Sequence, residues 1–287
     1  MGPNKRVKSS REAQFDKDGY PVAVSFSQGK GLPIIGLFYH SELEFQFIRQ
    51  GRVEYFVDTK NYQLERNSVL IIHRNEVHNY IPDPQSCVSK ISLVFSPDII
   101  MEKPTTAAIL RELRSHHLVV LSERQATSVE FLMQEIADEC RMQEPFWLEL
   151  VPSNIQKFLA ILHRAISNPV PVSSKDNPVI KNVLRYLEHN FTEKTSLAEV
   201  ASRFCMSSCF LSRMFKSYVG LGFREYLIHK RVAEAKRLLE ETDMKIITVA
   251  AEVGFHNLST FNRDFRMLTG IRPSDYRKVS SQADKMP

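Results

Sequence analysis

Two sets of side chains in this 287-residue chain have the types and spacing to do chemistry. The first is cationic and polar. Ser208, Cys209, Ser212, Arg213 and Lys216 recur at helical spacing, and 50 residues on from that stretch Ser259, Thr260, Asn262, Arg263 and Arg266 do the same, with His256 and Asn257 in the turn before them. Guanidinium and ammonium groups neutralise phosphates, while arginine, asparagine and hydroxyl side chains match the donors and acceptors on base edges. One carboxylate, Asp264, interrupts the second group and is expected on the same outer face. The second set is His40, Glu44, His78 and Tyr80. Two imidazoles, a carboxylate and a phenol could supply the hydrogen bonds of a small polar ligand. With more imidazoles they would suit a metal ion.

The elements that must hold these groups follow from periodicity. Beyond residue 178 the pattern is helical and repeats. Leu197 to Gly220 matches Ile247 to Gly270, with Ala201 against Ala251, Arg213 against Arg263, Phe215 against Phe265, and Lys216 against Arg266. Each copy reads as two helices joined by a tight turn, the second capped by Ser207 or Asn257 and stopped by Gly220 or Gly270. That is a helix-turn-helix, whose second helix suits the major groove. Phe223 to Glu241 joins the copies with one apolar stripe. A helix of that length spans roughly 28 Å, near the ~34 Å between successive major grooves on one DNA face.

Earlier in the chain the period is that of strands. Glu42 to Ile48, Arg52 to Val57, Ser68 to Ile72 and Ser89 to Phe95 alternate or run β-rich, which predicts a small antiparallel barrel or sandwich. Two helical stripes follow: Val129, Leu132, Met133, Ile136 and Cys140, then Ile155, Phe158, Leu159, Leu162 and Ile166. They either cover the barrel or pair with a second copy. Residues 1–18 read as a mobile arm, 19–104 as the barrel, 105–168 as a helical cover or dimerisation segment, 169–177 as a proline- and serine-rich linker, and 178–280 as the paired units, at 196–219 and 246–269. Residues 1–177 carry a net charge of −1 and residues 178–287 a net charge of +6, so a polyanion is expected to meet the C-terminal part. The absence of a long apolar run or of a secretory signal makes the cytoplasm the expected location and leaves no role for a membrane. No serine-histidine-aspartate, Walker or dinucleotide pattern occurs, so neither an enzyme nor a cofactor is expected.

The C-terminal residues resemble the AraC/XylS family of transcription regulators over roughly 178–278. The resemblance is carried by Ala233-Glu-Ala-Lys-Arg-Leu-Leu239, Val249-Ala-Ala-Glu-Val-Gly-Phe255, Phe261-Asn-Arg-Asp-Phe-Arg266 and Thr269-Gly-Ile-Arg-Pro273. It implies promoter binding by a homodimer, effector sensing by the front half, and RNA polymerase as a further partner. His40-Ser-Glu-Leu-Glu44, six residues before Gly51, is similar to the first cupin motif, with Phe38 where a second metal-binding histidine would stand. His78 falls at the later histidine, and Asn67 and Asn75 replace the usual glycines. With only three ligands left, no metal is expected, although an open three-ligand site stays conceivable. Resemblance to sugar-responsive relatives makes a carbohydrate the first effector to consider.

The expected fold is therefore α+β and multidomain: an N-terminal cupin-like barrel with a helical dimerisation segment, then an all-α double helix-turn-helix. The rival readings are a metal-dependent cupin enzyme with a helical appendage and a regulator that needs no ligand.

Overall fold

The computed structural model describes residues 20–30, 40, 42–74, 76–81, 83, 85–100, 104–167, 174–175 and 177–283. The expected arm, most of the expected linker, Phe38 and Asn75 lie outside the described residues.

The N-terminal half is β-rich, and its described residues carry nine strands: β1 (Val22–Lys30), β2 (Leu43–Gln50), β3 (Val53–Val57), β4 (Lys60–Leu64), β5 (Ser68–Ile72), β6 (His78–Ile81), β7 (Cys87–Phe95), β8 (Leu118–Val120) and β9 (Ser174–Lys175). They form two antiparallel sheets, ordered β1-β7-β2-β5-β8 and β6-β3-β4-β9, so the observed form is a sandwich of two sheets. Strands β2, β3, β5 and β7 fall on the alternating runs. β1 and β6 lack that signature, because small and polar residues dilute it. Asn67 has φ +66°, the left-handed conformation that asparagine tolerates.

One face of the five-stranded sheet is covered by helices α2 (Glu123–Met142) and α3 (Trp147–Ile166), which follow α1 (Pro104–Leu113). Ser122 caps α2 through a reciprocal box with Gln125. Val129, Leu132, Met133 and Ile136 of α2 and Ile155, Phe158, Leu159 and Leu162 of α3 share one core with Phe45 and Phe47 of β2. Burial of each such side chain is worth about 1.5–3 kcal/mol, and a face spent this way within the chain cannot also pair two chains. Phe131, Met142, Phe146, Leu148 and Leu150 remain exposed around these helices.

The C-terminal half is all helical: α4 (Pro178–Asn190), α5 (Leu197–Arg203), α6 (Ser208–Val219), α7 (Phe223–Glu241), α8 (Ile246–Glu252), α9 (Leu258–Thr269) and α10 (Pro273–Ala283). Ser207 caps α6, Asn257 caps α9, and Gly220 and Gly270 end them in the left-handed conformation. Helix α7 is common to both units. Phe223, Tyr226 and Leu227 complete the core of the first with Leu211 and Phe215. Val232, Ala235 and Leu239 complete that of the second with Phe261 and Phe265. One rod thus sets the spacing of two modules. Among the described residues no helix is long and apolar enough to cross a membrane.

The two halves are not separated by solvent. Phe56 of β3 and Val77 lie in the same core as Ile180, Val183 and Leu184 of α4 and the first reading unit.

Candidate nucleic-acid interface and ligand pocket

Helices α6 and α9 are amphipathic, and their polar sides face outward. Cys209, Arg213 and Lys216 of α6 are exposed, with Ser208 and Ser212 half-buried. Ser259, Asn262, Arg263 and Arg266 of α9 are exposed together with His256 and Asn257, and Thr260 is half-buried. The two units are parted by a cleft of about 1190 Å³ above α7, onto which Ser212 and Thr260 open from opposite sides. Asn257 has a prior engagement: its side-chain oxygen accepts from the Ser259 and Thr260 amides at 2.7 and 3.2 Å. Its amide nitrogen is the group left for a partner.

Asp264 departs from expectation. It is buried at 3 % exposure instead of lying on the outer face. Arg263 Nε donates to its Oδ1 at 2.9 Å, while the Arg263 side chain stays 66 % exposed. The carboxylate therefore fixes the root of an exposed guanidinium, whose charged form it favours by hydrogen bonding and then by charge. Phe210, exposed in the first turn of α6, lies beside this face and was not among the expected residues. An aromatic ring there can pack on a thymine methyl.

Three of the four residues expected to hold a ligand come together, His40 and His78 each within hydrogen-bond distance of Glu44. Glu44 and Gln46 alternate along β2 with Phe45 and Phe47, and the polar pair points between the two sheets. His40 Nε2 and His78 Nε2 lie 2.9 and 3.0 Å from Glu44 Oε2. The other ring nitrogen of each faces a backbone carbonyl, Glu42 O at 3.2 Å and Glu76 O at 3.0 Å. Ser92 donates to Glu44 Oε1 at 2.9 Å, and the Gln46 amide donates to the same oxygen. Burial pushes the Glu44 carboxyl up, but the hydrogen bonds from His40 and His78 outweigh it and hold it well below the usual range. His40 feels burial in the opposite sense, and its bond to Glu44 leaves its pKa raised.

Tyr80 joins this cluster, its ring 5.5 Å from that of Tyr55. Lys90 completes it. Its ammonium donates to Gln46 Oε1 at 3.1 Å and to the Tyr55 hydroxyl at 2.6 Å, and it sits over the Tyr55 and Tyr80 rings. Burial lowers Lys90 to about 8 against the pull of Glu44. Gln46, Tyr55, Lys90 and Ser92 were missed from sequence. For Gln46, Lys90 and Ser92 the signal was the polar phase of β2 and β7, which in a two-sheet fold can face either solvent or interior; Tyr55 lies on β3.

The strands that hold this cluster also pack against α6. Side chains alternate across a sheet, and the paired residues Tyr55 and Tyr80 face inward while the next pair, Phe56 and Asn79, faces α6. The last carbonyls of a helix have no partner within it. Here Asn61 Nδ2 donates to Tyr218 O at 2.8 Å and Asn79 Nδ2 donates to Val219 O at 3.0 Å. The Tyr218 hydroxyl reaches Thr59 O at 3.4 Å, and its ring lies edge-on to Phe56. Among the described residues, Oδ1 of both asparagines is buried without a hydrogen-bond partner. Each such oxygen costs about 1–3 kcal/mol, which offsets part of what the apolar contacts of Phe56 and Val77 contribute to the seam.

Comparison with known proteins adds family context to this geometry. Residues 38–187 match the model of an AraC-like ligand binding domain, and residues 200–279 match that of a helix-turn-helix domain. The regulatory protein PocR of Salmonella typhimurium is 28 % identical over 156 residues, covering 54 % of this chain and 49 % of that protein. The HTH-type transcriptional activator AarP of Providencia stuartii is 30 % identical over 38 % of this chain and 84 % of its own length. The activator RhaS of Pectobacterium carotovorum is 23 % identical over 83 % of this chain and 86 % of its own. The chain spans about half the length of PocR.

Proposed function

The chain belongs to the AraC family of transcriptional regulators, and from that premise we propose that it binds promoter DNA through α6 and α9 under the control of a small polar effector held by His40, Glu44, His78 and Tyr80. Arg213 and Arg263 read bases or grip phosphates. Lys216 and Arg266 hold phosphates and set register. The effector is a carbohydrate or another small hydroxylated or acidic molecule, for which Gln46, Lys90 and Ser92 add hydrogen bonds beside two aromatic walls. The role of the pocket is recognition and not turnover. The active species is a cytoplasmic homodimer. Because the stripes of α2 and α3 are buried within the chain, its interface uses other side chains, and RNA polymerase is a further partner.

The observation that carries the regulatory part is the pair of bonds from Asn61 and Asn79 to the end of α6. An effector that spreads Tyr55 and Tyr80 moves Phe56 and Asn79 on the reverse of the same strands, and α6 with them. The test begins with genomic fragments retained by the purified chain. Mobility-shift titration is then run on wild type and on the Asn61→Ala/Asn79→Ala double variant, with and without a panel of sugars and sugar acids whose binding is measured by calorimetry. The double variant is expected to bind DNA with altered affinity and to lose its response to any sugar that calorimetry scores. Unchanged affinity together with an unchanged response overturns the coupling. Failure of the wild type to retain any fragment overturns the DNA reading itself.

A further inference from the structure

A second group of chemistry-bearing side chains lies outside the pocket. His73 follows β5, Glu76 sits in the loop between β5 and β6, and His117 precedes β8. Pairing of β5 with β8, extended by the Ile71 amide donating to His117 O at 2.7 Å, sets His73 and His117 as diagonal neighbours on one face. Their rings are 5.1 Å apart. Glu76 folds back between them. Its Oε2 accepts from the His73 backbone amide at 2.8 Å and its Oε1 lies 2.8 Å from His117 Nε2. One ligand atom from each of the three lies within 4.8 Å of the others.

We propose that His73, Glu76 and His117 form a binding site for a divalent transition-metal ion of the zinc class. The donor set of two imidazoles and one carboxylate suits zinc, cobalt, nickel or copper better than magnesium or calcium, which take oxygen ligands. Each ligand is already oriented, as metal-binding side chains require. His73 Nε2 donates to His116 O at 3.2 Å, which fixes its ring and leaves the other nitrogen able to ligate. The His117 ring stacks on Tyr62 at 5.4 Å. The backbone bond to Oε2 holds the Glu76 carboxylate with Oε1 toward His117. A tetrahedral ion with ordinary bond lengths separates its ligand atoms by about 3.3 Å, so the Glu76–His117 pair has to open by only about half an ångström. Glu76 and His117 are each 22 % exposed, which leaves water access to a fourth position.

The position is also a junction. The Glu76 carbonyl holds His78 of the pocket, and Val77 packs into the core shared with the reading half. The site nevertheless stands whatever the pocket binds, and its test uses neither effector nor DNA. Untagged full-length chain, stripped with chelator and dialysed, is titrated with cobalt(II) alone and followed by visible absorption, with zinc as competitor. The expected result is one cobalt per chain in a tetrahedral spectrum, displaced by zinc. Affinity should fall at least tenfold in Glu76→Gln and His117→Ala and stay within twofold in His40→Ala. Glu76→Gln conserves shape, and circular dichroism checks that it is folded; zinc should raise the melting temperature of wild type and not of this variant. No cobalt signal in wild type overturns the proposal. So does a signal that survives Glu76→Gln and His117→Ala but vanishes in His40→Ala, since the ion would then sit in the pocket.

Discussion

The two reading units are near copies in sequence and unlike in surroundings. Gly220 and Gly270 occupy matching positions, end matching helices, and share φ values of +82° and +81°. A methyl group added at Gly220 would lie 2.4 Å from the Asn79 amide, whereas at Gly270 nothing approaches within 4 Å. The first glycine is thus needed twice, for its backbone conformation and for the close approach of a sensing strand. The second is needed once. The duplication supplied two equivalent modules, and among the described residues the β-rich half packs into the core of the first and not of the second.

Substituting the glycines gives the largest expected effect. Gly270→Ala should cost about 1 kcal/mol, the usual penalty for a left-handed alanine. Gly220→Ala should cost about 2–4 kcal/mol, because overpacking and the displaced Asn79 bond add to it. Urea unfolding measures both, and equal losses would erase the difference between the units. Next come the arginines. Arg213→Ala and Arg263→Ala should each remove about 1–3 kcal/mol of specific binding if each makes a bidentate base contact, read from mobility-shift titration on an operator fragment. An effector should change the penalty at Arg213 more than that at Arg263. Asp264→Asn should weaken operator binding by a smaller factor, since it loosens the root of Arg263 without removing its charge. Restoration of wild-type affinity in that variant at high salt would argue against a positioning role.

The smallest effect is a pH slope. Asp58, at the β3–β4 turn, is lifted from 3.8 to about 6, first by burial and then by the neighbouring Glu188 carboxylate, with Lys230 opposing and Glu76 adding to the rise. Between about pH 4 and 6 the folded chain holds a proton that the unfolded chain has lost. Stability should therefore fall as pH rises through that window and level off above it. Asp58→Asn, tolerated at φ +55°, should flatten the slope in urea titrations across pH. A slope that persists would assign the effect to other groups.

Much of the DNA-reading half was legible. Caps at Ser207 and Asn257, stops at Gly220 and Gly270, and the rod Phe223–Glu241 are local signals, and local rules set helix ends. The cluster around Glu44 was half legible. His40, Glu44, His78 and Tyr80 stood out as unusual types, but Lys90 and Ser92 looked like solvent-facing members of a strand. Asn61 and Asn79 gave no signal at all, because a buried asparagine and a turn asparagine are the same letter. Asp264 was misread as exposed for a related reason: a helical period leaves flanking positions undecided until a neighbour covers them.

The amino-acid order by itself determined the elements, the duplication and the cationic outer faces, since these depend on contacts between residues a few places apart. Which face of β2 became interior, which glycine was pressed against a neighbouring strand, and how His73, Glu76 and His117 came together were decided only when distant segments packed. Those outcomes turn on excluded volume and on the loss of water between surfaces far apart in the chain, and no short stretch of sequence records either.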